Sequence, residues 1–503
     1  MPTFYLTTPI YYINGKPSIG HAYTTIAADI LARYHRLRGE EVFFLTGTDE
    51  NSQKNVEAAQ KVGRENDMQG YLDEMAEVWK GTWKALDITT DRFIRTTELD
   101  HLKAVEKFWK TVEAKGDIYK GTYEGQYCKE CEAFVSEGDL VDGECSYHLT
   151  EPLRIKEDNY FFRLTAYREP LLHYIEEHPD FLLPKSRRNE IVSYIKDFMT
   201  DISISRSSVK WGIKVPGDES QCVYVWFDAL INYLTGVGYS TDEERFGKWW
   251  PAQLHLVGKD IIKFHCALWP AMLLSAGLPL PKHIFAHGFF TIDGQKMSKS
   301  LGNVVDPLEV AHTYGNDVLR YFLMREIHFG EDGDYGNTRL EERYGSELAN
   351  ELGNLVHRVC TMTEKYFDGK IPAHTPHDIS EAVKKYHAGL ETFAFHDALD
   401  AIWSLVREAN LLVEQKKPWV LAKEEKTEEL AQTIYTLLEL VRVIGVLILP
   451  FMPEAAQKIL SKLSASPASN ATLDDLLVWG QLVPGAVITK GDPLFPRREI
   501  ISS

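Results

Sequence analysis

The sequence predicts an α/β protein: a parallel sheet interrupted by an insertion of short strands, then a separate all-α bundle. Three observations predict it. The chain opens on a strand, a helix and a second strand, a unit that builds parallel sheets. Alternating strand and helix patterns return after about residue 222. Beyond about residue 340 strand patterns nearly vanish and long helical patterns take over.

The elements follow in order. "TFYLTTP" reads as a strand. "HAYTTIAADILARYHRLRG" reads as a helix, because Ile26, Ile30, Tyr34 and Leu37 recur at helical spacing and Gly39 ends the pattern. "EEVFFLTGTDE" reads as a buried strand running into a glycine-containing turn, and helical patterns continue to about residue 115. Residues 1–115 are therefore the first half of the sheet domain. Residues 116–222, rich in short strands and turns, read as the insertion. "CVYVWFDAL", "QLHLVGKDIIKFHCALWPAMLLSAG" and "HIFAHGFFTIDGQ" resume the sheet over 223–290. A lysine-bearing loop and connecting region occupy 291–345. The bundle, 346–503, holds "HDALDAIWSLVREANLLVEQ" and "ELAQTIYTLLELVRVIGVLILPFMPEAAQKILSKL".

Composition narrows the function classes. The 503 residues carry a net charge of −18, which argues against a nonspecific nucleic-acid coat but not against local basic patches. No apolar run is expected to cross a bilayer, and the N-terminus lacks the basic and apolar regions of a secretory signal. The expectation is a cytoplasmic protein. Of six cysteines, Cys128, Cys131 and Cys145 cluster with His148 in C-x₂-C-x₁₃-C-x₂-H. The spacing suits a closed tetrahedral zinc site of structural type, or four reduced residues without metal.

Several short stretches carry chemistry, each with a plainer alternative. Gly20 and His21 sit where a strand hands over to a helix N-terminus, which is an anion site or a glycine turn with a capping histidine. Asp49 ends a strand, where it would pair with an amino group or cap the next helix. Gly258 ends another strand, and Asp260 after it would bind a ribose hydroxyl or serve as a cap. Trp226, Ala229 and Tyr233 form an aromatic stripe that is pocket or core. "DGQKMSKSLGN" places Lys296 and Lys299 in a loop flanked by glycines.

Taken in order, these stretches resemble the class I aminoacyl-tRNA synthetases. "SIGH" (18–21) resembles their first signature and "KMSKS" (296–300) matches the second. "TTPIYYINGKPSIGHAYTT", "FFLTGTDE", "YVWFDALINY", "VGKDIIKFH" and "KKPWVLAK" narrow the resemblance to the methionyl-tRNA synthetases, with matches from residue 4 to about 421. Two positions depart from that pattern. Ser18 replaces histidine, and Asn51-Ser52 stands where His-Gly is usual.

The resemblance implies a Rossmann-type catalytic domain with a zinc-knuckle insertion and an α-helical anticodon-binding domain. The implied reaction takes methionine and ATP with Mg²⁺ to methionyl-adenylate and pyrophosphate, then passes the methionyl group to tRNA(Met). Ser18, Gly20, His21, Gly258, Asp260, Lys296 and Lys299 are the implied ATP-site residues. Ile10, Tyr12, Trp226, Ala229, Tyr233, Ile261 and His265 would line the methionine pocket, with Asp49 on the α-ammonium and Tyr233 and His265 offering O–H or N–H groups to the sulfur. Asn354, Arg358 and Trp419 would read the anticodon; alternatively Trp419 is core and Arg358 a surface charge. One structural Zn²⁺ on Cys128, Cys131, Cys145 and His148, no membrane partner and a monomeric state are expected. The rival readings are another class I synthetase and a catalytically inactive RNA-binding paralogue.

Overall fold

The computed structural model describes residues 1–128, 133–135, 140–146, 150–292, 294–297, 303–468 and 470–496. The chain forms two compact units. One comprises Pro2–Ala28 and Val42–Gly288; the other comprises Met1, Asp29–Glu41 and Phe289–Ser503.

The first unit is built on a six-stranded sheet: β1 (Thr3–Tyr12), β2 (Glu41–Asp49), β3 (Arg92–Arg95), β4 (Leu182–Leu183), β5 (Leu254–Gly258) and β6 (His283–His287). Their order is β3-β2-β1-β5-β6-β4. The pairs β2–β3, β1–β5, β5–β6 and β6–β4 are parallel. Most of β1 and β2 is buried, as expected of strands covered on both faces. Helix α1 (Ile19–Leu37) connects β1 to β2, with Ile26, Ile30 and Tyr34 wholly buried as their spacing predicts. The chain leaves β1 toward β2 and β3, and later fills the other side with β5 and β6. That reversal makes a topological switch point between β1 and β5, and open parallel sheets bind ligands in the crevice outside the carboxyl ends of such strands. Gly47 in β2 is forced by contact: a Cβ there would lie 2.0 Å from the Ile94 carbonyl oxygen of β3.

The insertion contains a long antiparallel pair, Ile118–Cys128 against Leu153–Phe162, in register from Ile118↔Phe162 to Tyr127↔Leu153. A small hairpin, Leu140–Val141 with Glu144–Cys145, turns on Asp142 and Gly143, both at positive φ (52° and 84°), as a two-residue Asp-Gly turn requires. Besides the short strands and turns expected of 116–222, the region holds helices at Arg168–Glu177 and Lys185–Asp197, and between them β4 joins the edge of the main sheet. A two-residue strand is too short to show a period-2 pattern.

The main part of the second unit, from Phe289 on, opens with strands Phe290–Ile292 and Gln295–Lys296, paired antiparallel, and Gly333–Tyr335, paired parallel to the first of them. Its bundle includes α3 (Asn354–Phe367), α4 (Phe395–Lys416), α5 (Pro418–Lys423) and α6 (Thr427–Leu447). No apolar run was expected to be long enough to cross a bilayer, yet α6 meets that length and apolarity, with mean hydropathy 1.5. It is the buried axis of the bundle. Its fully buried Glu439 accepts backbone N–H groups from Gly480 (2.7 Å) and Gln481 (2.9 Å), and Arg442 donates to the Leu476 carbonyl (2.6 Å). A buried pair with its remaining polar atoms bonded this way suits a protein interior.

Candidate active site

At the start of α1, Ser18 accepts the first helical bond from Ala22 N–H (3.0 Å). Its own N–H donates to His21 Nδ1 at 2.9 Å, and its Oγ lies 3.0 Å from the same nitrogen. This is the reciprocal half of a capping box, with imidazole in place of a carboxylate. A backbone N–H can only donate, so Nδ1 accepts and the ring proton of neutral His21 resides on Nε2. The edges of Tyr11 and Trp79 hold the ring, each at 5.0 Å between centroids. The main chain of Ser18 therefore orients His21, a contact that does not depend on the side chain at position 18. A helix N-terminus with a fixed imidazole N–H donor is suited to phosphate oxygens.

Asp49 ends β2 and is nearly buried. The cap of the next helix, α2 (Gln53–Lys61), is Ser52, whose Oγ accepts from Lys54 N–H at 3.0 Å. Asp49 is thus not the cap, which removes the plainer of its two readings. Asn55 Nδ2 donates to the Asp49 carbonyl (2.8 Å) and Asn51 N–H to Asp49 Oδ1 (3.3 Å), so the turn is tied at both ends. Asn51 also donates from Nδ2 to Asp228 Oδ2 (3.2 Å), fastening the turn to the helix that carries Trp226 and Ala229. The sequence pointed to none of this bracing, because the two residues are 177 apart.

The proposed methionine pocket is an aromatic box. Trp226 stacks on Phe264 with centroids 4.1 Å apart and planes at 5°, and meets His265 edge-on at 5.9 Å. His265 lies in a π-helical segment, Phe264–Leu268, an irregularity often found at functional sites. Burial pushes its imidazole down to about 4, so the ring is neutral near pH 7. Its Nδ1 lies 3.1 Å from the Ile261 carbonyl, which can only accept; the proton is therefore on Nδ1 and Nε2 accepts the Tyr233 hydroxyl at 2.8 Å. The sequence reading had both groups offering a proton to the methionine sulfur. Here each proton is committed elsewhere, which leaves packing, the interaction a polarizable thioether makes best. Tyr233 is itself braced: Tyr5 Oη donates to its carbonyl (2.6 Å) and His255 stacks on its ring (4.3 Å). Ile10, Tyr12 and Ile261 are part-buried against the same core. Phe264, Tyr5 and His255 were not singled out from sequence; only the aromatic density of "KFHCALW" hinted at the first.

Gly258 closes β5, and Asp260 follows inside a single 3₁₀ turn, Lys259–Ile261, so it is not an N-cap either. Solvent reaches Asp260 although protein surrounds it, as for a group lining a crevice. Burial raises its carboxyl, and the ammonium of Lys54, ahead of Lys259, draws it back.

In the second unit, Lys296 pairs through its backbone with Thr291, and Asp334 Oδ1 accepts from Gly294 N–H (2.7 Å) and Thr291 Oγ1 (2.5 Å). Gly294 has φ 76°. Lys299 lies outside the described residues. Asn354 is exposed and opens α3 just after a π-helical stretch, Tyr344–Gly353. Arg358 donates to Glu414 on α4 at 2.8 Å, five residues before Trp419. Helix α4 stops at Lys416, Lys417 turns left-handed (φ 46°) and Pro418 starts α5, leaving Trp419 44% exposed. Trp419 is not core. In the insertion, Cys128 and Cys145 are both buried, and both approach Thr150: Cys128 Sγ lies 3.9 Å from its Oγ1, and Cys145 N–H donates to its carbonyl at 2.9 Å. Cys131 and His148 lie outside the described residues.

The family profile described as "tRNA synthetases class I (M)" matches residues 4–152 and 135–360, and that described as "Anticodon binding domain of methionyl tRNA ligase" matches 368–499. The methionine–tRNA ligase of Thermotoga maritima is 46% identical over 98% of this chain and 80% of its own length. That of Streptomyces coelicolor is 42% identical over 99% and 97%. The Mycobacterium tuberculosis methionyl-tRNA synthetase in complex with methionyl-adenylate superposes with a TM-score of 0.93 at 41% identity, covering 99% of this chain and 100% of that one. Its free state gives 0.86 at 38% identity. A crevice at the sheet's switch point, an aromatic box beside it, a helical bundle and end-to-end similarity of this depth lead to one assignment: the chain belongs to the methionyl family of class I tRNA synthetases.

Proposed function

We propose that the chain attaches L-methionine to tRNA(Met) in two steps, forming methionyl-adenylate from methionine and ATP and then transferring the methionyl group to the terminal ribose, with release of pyrophosphate and AMP. The observation that carries this is the match along 99% of the chain to a relative holding methionyl-adenylate. The aromatic box of Trp226, Phe264, Tyr233 and His265 stands beside the switch-point crevice of the same sheet.

Positioning and charge stabilisation supply the catalysis, since little covalent chemistry is asked of the protein. In this reading Asp49 holds the α-ammonium, and Trp226, Ala229, Tyr233, Ile10, Tyr12, Ile261 and His265 select the side chain by shape. Ser18, Gly20 and His21 receive phosphates, Gly258 and Asp260 take the ribose, and Lys296 and Lys299 offset the charge of the departing pyrophosphate. ATP enters as its magnesium complex. Asn354, Arg358 and Trp419 bind the anticodon; the exposure of Trp419 supports this. Cys128, Cys131, Cys145 and His148 hold one structural Zn²⁺. Cys128 and Cys145, buried and both against Thr150, fit that use, and a zinc there would crosslink a part of the insertion made of two- and three-residue strands. The protein acts as a monomer in the cytoplasm.

The test is ATP–pyrophosphate exchange with all twenty amino acids, followed by charging of tRNA(Met). Methionine alone should support strong exchange. Dominant exchange with another amino acid points to a different class I synthetase, and none at all to an inactive paralogue.

A further inference from the structure

Lys54 has no part in the roles above. It occupies the second position of α2, where its backbone is fixed by the bond to Ser52 Oγ. A cation in the first turn of a helix opposes the helix dipole, so the helix does not account for it. Its side chain is part-buried and runs back to the sheet, with Nζ 4.9 Å from the centroid of the Tyr12 ring at the carboxyl end of β1. Its charge also draws down the Asp260 carboxyl, which burial raises. Tyr12 and Asp260 belong to the ends of β1 and β5, the adjacent strands that flank the switch point. One turn therefore presents an anion, Asp49, and a cation, Lys54, and the cation lies over Tyr12 at the end of β1, the strand that pairs with β5.

We propose that Lys54 is a catalytic residue of adenylate formation, its ammonium bonding the α-phosphate oxygens beside the attacking carboxylate where the new bond forms. This rests on the proposed function. In that step an electron pair of the carboxylate oxygen forms the bond to the α-phosphorus. The bond from the α-phosphorus to the oxygen bridging to the β-phosphate breaks, and its electron pair leaves with pyrophosphate. No proton moves, and Lys54 stays an ammonium throughout. Two anions must meet at this step. A cation held at their junction lowers their repulsion and binds harder as charge gathers on the non-bridging oxygens. The Tyr12 ring keeps the ammonium in place beforehand.

The experiment compares Lys54→Met, which keeps the length and apolar stem, with Lys54→Arg, which keeps a cation. Three quantities are read: methionine-dependent pyrophosphate exchange, affinity for methionine alone by tryptophan fluorescence, and affinity for methioninyl adenylate, a stable phosphodiester. Lys54→Met should lose about a hundredfold in the kcat of exchange and at least about thirtyfold in affinity for the phosphodiester. Methionine affinity should stay within about threefold, the pattern of an interaction made mainly in the transition state. Lys54→Arg should recover about tenfold of the lost rate. Exchange by Lys54→Met within about threefold of wild type, or a loss matched by weaker methionine binding, overturns the assignment and leaves the proposed function standing. A wild type without methionine-dependent exchange overturns both.

Discussion

His265 shows how much a single residue's chemistry depends on its partners. Its neutral state, its tautomer and its bond to Tyr233 follow from burial and from the Ile261 carbonyl. With the imidazole pushed down to about 4, the KM for methionine should be flat between pH 7.5 and 5.5. Steady-state exchange across that range checks it, and an inflection near pH 6.5 would show that His265 titrates. His287 is also pushed down to about 4 by burial, with Thr24 Oγ1 2.6 Å from its Nε2. The unfolded chain takes up protons at such histidines below about pH 6.5 and the folded chain does not. Their contribution therefore costs stability as pH falls from about 6.5 toward 4. His287→Gln should flatten the decline of Tm over that interval. At the loop, Lys299→Ala should lower the kcat of exchange by about a hundredfold or more, while methionine affinity measured by fluorescence stays near wild type. Unchanged exchange would remove Lys299 from the reaction.

Elements differ in how they are held. Strands β1 and β2 contribute Tyr5, Phe43 and Leu45 to a deep apolar core, and helix α1 buries Ile26, Ile30 and Tyr34. The hairpin Leu140–Val141 and Glu144–Cys145 has two residues per strand and an Asp-Gly turn, too little to stand alone. In the proposed reading, a zinc held by Cys145 of this hairpin together with Cys128 would supply what packing does not. Metal analysis of protein purified without chelator should find one zinc per chain. Stripping that zinc should open Cys128 and Cys145 to thiol reagents while the helical circular dichroism of the bundle stays unchanged. Metal-free protein with the same thiol protection would show that the cysteines are merely buried.

On the scale of the whole molecule, the crevice of the six-stranded sheet and the bundle carrying Trp419 belong to different compact units. Loss at one should therefore spare the chemistry of the other. A base stacked on an aromatic ring contributes about 1–3 kcal/mol. Trp419→Ala should accordingly weaken tRNA charging by about ten- to a hundredfold and leave methionyl-adenylate formation nearly intact. Assays of charging and exchange on one preparation separate the cases, since equal loss in both would make Trp419 structural.

The sequence alone determined the parallel α/β class, the course of α1, the all-α character of the C-terminal region and the break at Pro418, because burial periodicity and proline geometry are local properties of a chain. It also located Asp49, His21 and Asp260 at strand ends and helix starts. Only the tertiary structure decided what those residues are free to do. Ser52 rather than Asp49 caps α2, and Ser18 orients His21 through its main chain. Tyr233 gives its proton to His265, Asn51 ties to Asp228, and Lys54 reaches over Tyr12. Edge strand β4 likewise exists only because β6 lies beside it. The last four arise between segments distant in the chain, from 32 residues for Tyr233 and His265 to 177 for Asn51 and Asp228. No local pattern encodes a proton's direction or a neighbour so far away; burial and packing assign both.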